Sequence, residues 1–171
     1  MTSLSAVRIM AARPWRSLSL RTLPIYFADL KKQFWLLDTF DGIDRTLLTG
    51  KEKAIEGGYL QYGDCFERVK ANFAGMDFVN IIRGSVPSTL THVTADKIAF
   101  MHIDMNATVP EIAALEHFWP RLSPFGVLLM DDYGWPRHRE QKIGFDGFAK
   151  ANGLEILQLP TGQGLIIKPP S

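Results

Sequence analysis

One stretch of the chain, Ile98 to Tyr133, constrains the fold more than any other. It opens with a short apolar run, Ile98 to Ile103, that lacks helical periodicity and so predicts a strand buried on both faces. A helical pattern follows, for which Asn106 or Thr108 is the predicted N-cap. A second apolar run, Gly126 to Met130, predicts another buried strand. Strand, helix and strand in this order indicate a right-handed unit with two parallel strands.

Both predicted strands of this unit end in acidic residues. Asp104 follows the first strand, and Asp131 and Asp132 follow the second. Functional groups collect at the carboxyl ends of parallel strands, so we expect these side chains to converge. Ionised carboxylates held together raise one another's pKa, and Mg²⁺, which favours carboxylate ligands, is the simplest compensation. Taken singly, each acid is about as consistent with capping the segment that follows it.

The rest of the chain alternates strand and helix patterns. Further strands are predicted at Phe34–Leu37, Phe78–Ile82, Leu154–Gln158 and Leu165–Ile167, and further helices at Cys65–Phe73 and at about His138–Asn152, the latter with Ile143 and Phe145 facing the sheet. A short Gly-rich connection joins the last two strands as a hairpin. The order predicts an α/β fold with a doubly wound, Rossmann-like, mostly parallel sheet and a C-terminal antiparallel hairpin.

Two further positions are candidates for holding a ligand. Asp38 ends the predicted strand at Phe34–Leu37, where an acid can hold the hydroxyls of a nucleoside ribose. A loop-capping role fits Asp38 about equally well. Gly84, which follows the strand at Phe78–Ile82, would let a ligand approach the backbone, although an ordinary turn explains it as well.

Two histidines lie near the acids in the sequence. His138 opens the last helix just beyond Asp132 and is a candidate proton acceptor, with an exposed helix-start residue as the alternative. His102 precedes Asp104 within the same strand, and we expect it to point to the opposite face, either as a packed core residue or as a group that supports the ligands from behind.

Length and composition exclude several classes of protein. The 171 residues suit one domain, and the net charge of +1 gives no support for nucleic-acid or membrane-surface binding. The single cysteine, Cys65, cannot form an internal disulfide and fits a reducing, cytoplasmic compartment. No apolar run approaches the roughly 20 residues that span a bilayer.

The first 21 residues show no domain-like pattern. Four arginines lie among Ser, Ala and Leu, and the first acid is Asp29. The composition fits a transit peptide, an error of start site or reading frame, or a divergent amphipathic helix. We expect residues 1–24 to form a divergent or disordered segment before a domain at residues 25–171.

Four segments in combination resemble a known family. They read FWLLDTFDG, HIDMN, PEIAALEHFWPRLSPFGVLLMDDYGW and LPTGQGLIIKP. Together they resemble the macrocin-type (TylF/MycF-like) O-methyltransferases, which are class I enzymes that use S-adenosylmethionine. The resemblance runs from about Ile25 to Pro169. It implies a Mg²⁺ ion held by Asp104, Asp131 and Asp132, and a cofactor held by Asp38, Gly84 and Ser85.

The resemblance implies a Mg²⁺-dependent O-methyltransferase that acts on a hydroxyl of a sugar or related natural product. The metal would lower the pKa of the acceptor hydroxyl, and Asp104 or His138 would take its proton. The expected partner is a small hydroxylated molecule rather than nucleic acid or a membrane. A homo-oligomer is compatible with the sequence.

The chain departs from this family in two places. The family has a Gly-rich cofactor loop after its first strand, whereas Met1 to Gln33 contain no glycine, so we expect that strand and loop to be lacking. The family's IDxD element reads Ile103-Asp104-Met105-Asn106 here. The alternatives are therefore a catalytically impaired or truncated relative with a binding role or no independent role, and a different Mg²⁺-dependent transferase on the same sheet.

Overall fold

The computed structural model describes the backbone of residues 5–10, and residues 32–55 and 63–170. Within these residues, strands form one sheet in the order β3-β2-β1-β4-β5-β7-β6. The strands are β1 (Ser5–Met10), β2 (Phe34–Asp38), β3 (Val79–Arg83), β4 (Ile98–Asp104), β5 (Leu122–Met130), β6 (Leu157–Gln158) and β7 (Gly164–Ile167). The α-helices are α1 (Gly50–Ile55), α2 (Phe66–Asn72), α3 (Thr108–Phe118) and α4 (Arg139–Ala151).

The sheet is parallel except at its C-terminal edge. Strands β3, β2, β1, β4 and β5 pair in parallel, whereas β7 runs antiparallel to β5 and β6 antiparallel to β7. The predicted doubly wound sheet with a terminal hairpin is therefore confirmed. The strand order reverses between β1 and β4, and ligands bind at the carboxyl edge of such a switch point.

The expectation that the chain lacks the first strand is wrong. Ser5–Met10 forms β1 at the centre of the sheet, where Val7 pairs with Trp35 of β2 on one side and Met101 of β4 on the other. The segment is short and carries an arginine, so its local pattern is weak. The segment becomes a strand because it pairs with β2 and β4, which are distant in sequence. Local strand propensity does not contain this information. The predicted domain boundary after residue 24 lies outside the described residues.

Apolar side chains cover both faces of the sheet. Leu36 of β2 packs with Val69 and Phe73 beside α2 on one face. The neighbouring Leu37 belongs to a larger cluster on the other face, with Met101, Ile103, Leu128 and Met130 from β4 and β5 and Leu115, Phe118 and Phe145 from α3 and α4. Successive strand residues point to opposite faces, so β2 contributes to both clusters.

Two local predictions differ from the structure. Helix α3 has Ala107 as its N-cap without a side-chain cap, since Asn106 adopts a positive φ of 57° just before it. Ile143, predicted to face the sheet, is 54% exposed, whereas Phe145 is buried. The apolar stripe of α4 is narrower than the sequence pattern suggests.

No helix in the described ranges is both long and apolar enough to cross a membrane.

Candidate functional site

Three side chains converge at the carboxyl edge of the sheet. Asp104 ends β4, Asp131 follows β5, and one ligand atom from each lies within 4.8 Å of a ring nitrogen of His102. Asp131 donates its backbone N–H to the carbonyl of Ile103 at 3.0 Å, which ties the end of β5 to β4. We call His102, Asp104 and Asp131 the carboxylate–imidazole cluster. Two carboxylates and an imidazole at this spacing are able to hold a metal ion.

The expected orientation of His102 is wrong. Residues i and i+2 of a strand point to the same face, so His102 and Asp104 project together while Met101 and Ile103 enter the core cluster. His102 Nε2 lies 3.6 Å from Asp131 Oδ1, and the side chain is 9% exposed. The imidazole is therefore part of the site and not of the hydrophobic core.

Asp132 lies beside this cluster rather than within it. Its Oδ2 is 3.7 Å from His138 Nε2, and both side chains are largely buried. The alternative that His138 is an exposed helix-start residue is excluded, because the residue is 6% exposed. The structure thus brings Asp104 and Asp131 together and pairs Asp132 with His138.

A chain of buried polar groups orients His138. Gln141 Nε2 donates to Glu111 Oε1 at 3.1 Å, which leaves Gln141 Oε1 as the acceptor that faces His138 Nδ1 at 2.7 Å. His138 Nδ1 therefore carries the ring proton, and in the neutral ring Nε2 keeps its lone pair towards Asp132. The same Glu111 oxygen accepts the backbone N–H groups of Met105 and Asn106, both at 2.9 Å.

A further acid, Glu111, is buried close to the acids of the site. Its pKa is raised from 4.5 to about 8, chiefly because the carboxyl is fully buried, and further because Asp104 and Asp132 are nearby. The hydrogen bond from the Met105 backbone opposes this shift. Acids crowded in this way are neutralised by protons or by a cation.

Asn106 replaces the second acid of the IDxD element with an amide. Its Nδ2 donates to Asp104 Oδ1 at 3.4 Å, which orients that carboxylate. Its buried Oδ1 has no hydrogen-bond partner among the described residues and lies at the wall of a cavity. A ligand hydroxyl is the kind of donor that would satisfy this oxygen.

Two cavities flank the turn that carries Arg137 and His138. The first, of about 500 Å³, is lined by Ile43, Leu48, Lys51, Glu52, Asn106, Pro136, Arg137, His138, Arg139, Glu140, Gln141 and Ile143. The second, of about 510 Å³, is lined by Asp131, Asp132, Trp135, Arg137, His138, Thr161 and Gln163. Both fall in the size range of small-molecule sites. Asp131, Asp132 and His138 thus lie where a ligand of that size can reach them, whereas the buried Asp104 lines neither cavity.

The predicted cofactor residues share one cleft. Asp38, Gly84 and Ser85 line it together, with the backbone N–H of Gly84 donating to the Asp38 carbonyl at 2.9 Å. Asp38 Oδ1 accepts the backbone N–H of Phe40 at 2.8 Å, which holds the buried carboxylate in place. The hydroxyls of Thr46 and Ser85 lower the pKa of Asp44 in the same cleft, which favours the ionised carboxylate of Asp44.

Glu52 fastens α1 over the first cavity. Glu52 Oε2 accepts the Thr49 N–H at 2.8 Å, and Glu52 N–H donates to Thr49 Oγ1, which together form a capping box. Glu52 Oε1 accepts the backbone N–H of Thr108 at 2.7 Å and also its hydroxyl. The buried carboxylate of Glu52 therefore caps the N-terminus of α1 and also joins α1 to the first residue of α3.

Sequence reasoning missed Glu111, Gln141 and Glu52. A signal was present for two of them, since Thr108-x-x-Glu111 and Thr49-x-x-Glu52 both have the spacing of a capping box. Gln141 carries no such signal, because its role depends on α3 and α4 lying side by side.

Comparison with known proteins identifies the family. The family model described as Macrocin-O-methyltransferase (TylF) matches residues 19–156. The chain is 27% identical over 136 residues to the 8-demethyl-8-(2,3-dimethoxy-alpha-L-rhamnosyl)-tetracenomycin-C 4'-O-methyltransferase of Streptomyces olivaceus, over 70% of this chain and 50% of that protein. It is 27% identical over 116 residues to the mycinamicin III 3''-O-methyltransferase of Micromonospora griseorubida, over 62% of this chain and 46% of that protein. The chain thus spans about half the length of these relatives.

Solved structures agree on the fold. The O-methyltransferase NovP superposes with a TM-score of 0.76 at 17% identity, over 96% of this chain and 72% of that one. The MycE methyltransferase in complex with Mg, SAH and mycinamycin VI gives a TM-score of 0.57 at 11% identity, over 98% of this chain and 45% of that one. Because the family model covers most of the chain and the sheet has the matching architecture, the chain belongs to the TylF family of macrocin O-methyltransferases.

Proposed function

We propose that this chain is an S-adenosylmethionine-dependent, Mg²⁺-dependent O-methyltransferase that acts on a hydroxyl of a sugar-bearing natural product. The observation that carries the proposal is the convergence of Asp104 and Asp131 with His102, within 4.8 Å, at the carboxyl ends of β4 and β5, beside the switch point of the sheet. The two curated relatives are named as O-methyltransferases of a rhamnosyl tetracenomycin and of a mycinamicin. A sugar hydroxyl is therefore the acceptor class to test first.

The donor set at the edge of the sheet fits a divalent cation. Asp104 and Asp131 supply carboxylate oxygens, which Mg²⁺ favours, and Asp132 is the next residue along the chain. The buried Glu111 lies near the same acids, and its pKa is raised mainly by burial and further by the charges of Asp104 and Asp132. When bound, the ion would act as a Lewis acid that lowers the pKa of a hydroxyl. Asp104, Asp131 and Asp132 remain the residues proposed to hold it.

The nucleoside end of the cofactor is placed beside Asp38, where the cleft has a volume of only about 20 Å³ and must widen to admit it. A carboxylate held by the Phe40 N–H at the end of β2 is placed to accept from ribose hydroxyls. Gly84 has φ of 144°, which allows the backbone to approach a ligand closely. S-adenosylmethionine supplies the methyl group as an electrophile. Asp38, Gly84 and Ser85 would bind and orient it from this side.

His138 and Asp104 are the proposed proton acceptors. His138 Nε2 bears the lone pair because Nδ1 donates to Gln141, and Arg137 and His138 line both cavities. Asp104 is oriented by the amide of Asn106. A base whose tautomer is set by its neighbours needs no reorientation before it accepts a proton, which favours general base catalysis.

A second candidate function is a non-catalytic relative. The observation that favours it is the lack of glycine in Met1 to Gln33, where the family's cofactor loop is expected. A Cβ in such a loop blocks close approach to the methionine end of the cofactor. In that case the chain would bind a partner or an acceptor without turning it over.

Calorimetry with S-adenosylhomocysteine, with and without Mg²⁺, separates the two candidates. Micromolar binding supports the enzyme, and transfer of tritium from methyl-labelled S-adenosylmethionine to rhamnosyl tetracenomycin and mycinamicin acceptors then tests the sugar hydroxyl. The double variant Asp131→Asn, Asp132→Asn should lose Mg²⁺-dependent transfer, whereas Asp77→Asn, an exposed acid before β3, should retain it. Absence of cofactor binding would overturn the enzyme proposal in favour of the non-catalytic one.

A further inference from the structure

The cluster at the edge of the sheet contains a nitrogen donor that the carboxylates alone do not explain. His102 belongs to β4, in register with Leu129 of β5, and its ring projects to the same side as Asp104. The side chain is only 9% exposed. Nε2 has no hydrogen-bond partner among the described residues. A buried ring nitrogen without a hydrogen bond is unfavourable unless something else satisfies it.

The distance between His102 and Asp131 is too long for a direct hydrogen bond. Nε2 lies 3.6 Å from Asp131 Oδ1, whereas a charge-assisted N–H···O bond is about 2.7–2.9 Å. Two donor atoms bound to one ion at about 2.1 Å lie roughly 3–3.5 Å apart, depending on the coordination geometry. The observed gap is close to that of neighbouring ligands on one cation.

Neighbouring amides hold the two carboxylates in position. Gln163 Nε2 donates to Asp131 Oδ1 at 2.8 Å, and Asn106 Nδ2 donates to Asp104 Oδ1 at 3.4 Å. Such outer donors fix the direction of ligating oxygens and are typical of metal sites. Both carboxylates of the carboxylate–imidazole cluster are therefore held in fixed orientations by neighbouring side chains.

We propose that His102 Nε2 ligates the cation together with Asp104 and Asp131, and that the site consequently prefers a first-row transition-metal dication to Mg²⁺. This inference rests on the proposed function for the existence of a cation site, and it changes the chemical class of the ion. Imidazole nitrogen suits transition metals, whereas Mg²⁺ favours oxygen and water. A single nitrogen ligand at this site therefore favours a transition-metal ion over Mg²⁺, which three carboxylates would not do.

Pulsed EPR of the Mn²⁺-loaded chain is the direct test, because it detects a ligating nitrogen without any turnover. The full chain is stripped with a chelator and titrated with Mn²⁺ and Mg²⁺ by calorimetry. We expect ¹⁴N coupling to Mn²⁺ and an affinity for Mn²⁺ at least about tenfold above that for Mg²⁺, because imidazole nitrogen suits a transition metal better than Mg²⁺. His102→Gln should remove the coupling and most of the preference.

Two matched variants assign the nitrogen. His92→Gln, at an exposed position, and His138→Gln, beside Asp132, should keep both the coupling and the metal preference. Because the wild-type spectrum already reports nitrogen, the test does not depend on His102→Gln folding. Circular dichroism of each variant accompanies the titrations.

The outcomes separate this inference from the proposed function. Stoichiometric cation binding without ¹⁴N coupling, or coupling lost only in His138→Gln, overturns the role of His102 and leaves the enzyme proposal standing. Failure to bind any dication overturns both the role of His102 and the metal dependence of the enzyme.

Discussion

Glu111→Gln tests whether the buried acid of α3 is kept protonated by its surroundings. The carboxyl of Glu111 is fully buried near Asp104 and Asp132, and its pKa is raised from 4.5 to about 8. At about 1.4 kcal/mol for each pKa unit, the shift corresponds to an upper limit of about 5 kcal/mol. Glutamine keeps the acceptor oxygen for the N–H groups of Met105, Asn106 and Gln141, but it has no proton to lose.

The sign follows from which state binds the proton. Below pH 4.5 both the folded and the unfolded states carry the proton on Glu111, so ionisation contributes nothing. Between pH 4.5 and 8 the unfolded state has released a proton that the folded state retains, and the free energy of unfolding falls with rising pH. Above pH 8 the full amount is lost. The stability of Glu111→Gln relative to wild type should therefore rise from about zero at pH 5 to several kcal/mol at pH 9.

Urea unfolding followed by circular dichroism, at pH 5, 7 and 9 in chelator, measures the difference. Other titrating groups cancel when the two proteins are compared at each pH. Glu116→Gln, an exposed position on the same helix, is the matched control and should follow the wild-type curve. Parallel curves for wild type and Glu111→Gln would show that Glu111 is ionised in the folded state and that the reasoning from burial and charge is wrong.

Three further substitutions test other parts of the structure. Phe125 has φ of 61° and is 69% exposed, so Phe125→Gly should relieve left-handed strain and raise Tm by about 2 °C; a fall in Tm in calorimetry would contradict this. Glu52→Gln should weaken the junction between α1 and Thr108 by about 1–3 kcal/mol, measured by urea unfolding, with Lys53→Gln on the exposed side of α1 unchanged. Gly84→Ala places a Cβ 2.6 Å from Thr89 Cγ2, at a backbone φ of 144° that favours glycine. Both the Tm and the affinity for S-adenosylhomocysteine should therefore fall, and an unchanged affinity would show that Gly84 is not part of the cofactor site.

Local patterning was sufficient for the strands that carry the acids. The apolar runs before Asp104 and Asp131 predicted β4 and β5, and the order of elements predicted the parallel sheet and its hairpin. These predictions succeed because a strand buried on both faces has a composition that is readable without its neighbours. Once the two strands are known to be parallel neighbours, the acids that follow them are expected at the same edge of the sheet.

The central strand was not predictable in the same way. Ser5–Met10 is short and has no strong apolar run, yet it lies between β2 and β4. Its hydrogen-bond partners are about 30 and more than 90 residues away, so no local signal specifies the pairing. The same distance in sequence hides Gln141, which reaches Glu111 only because α4 packs against α3.

The residue types of the site were determined by the sequence, whereas the tertiary structure decided which of them meet. Asp104, Asp131 and Asp132 were all expected in one group, but the structure places His102 with the first two and His138 with the third. Strand periodicity, correctly applied, would have placed His102 beside Asp104. The pairing of Asp132 with His138 depends on the turn after β5 and on the orientation of α4. Strand periodicity predicts directions within a strand only, so the spacing of these two residues in the sequence does not predict their contact.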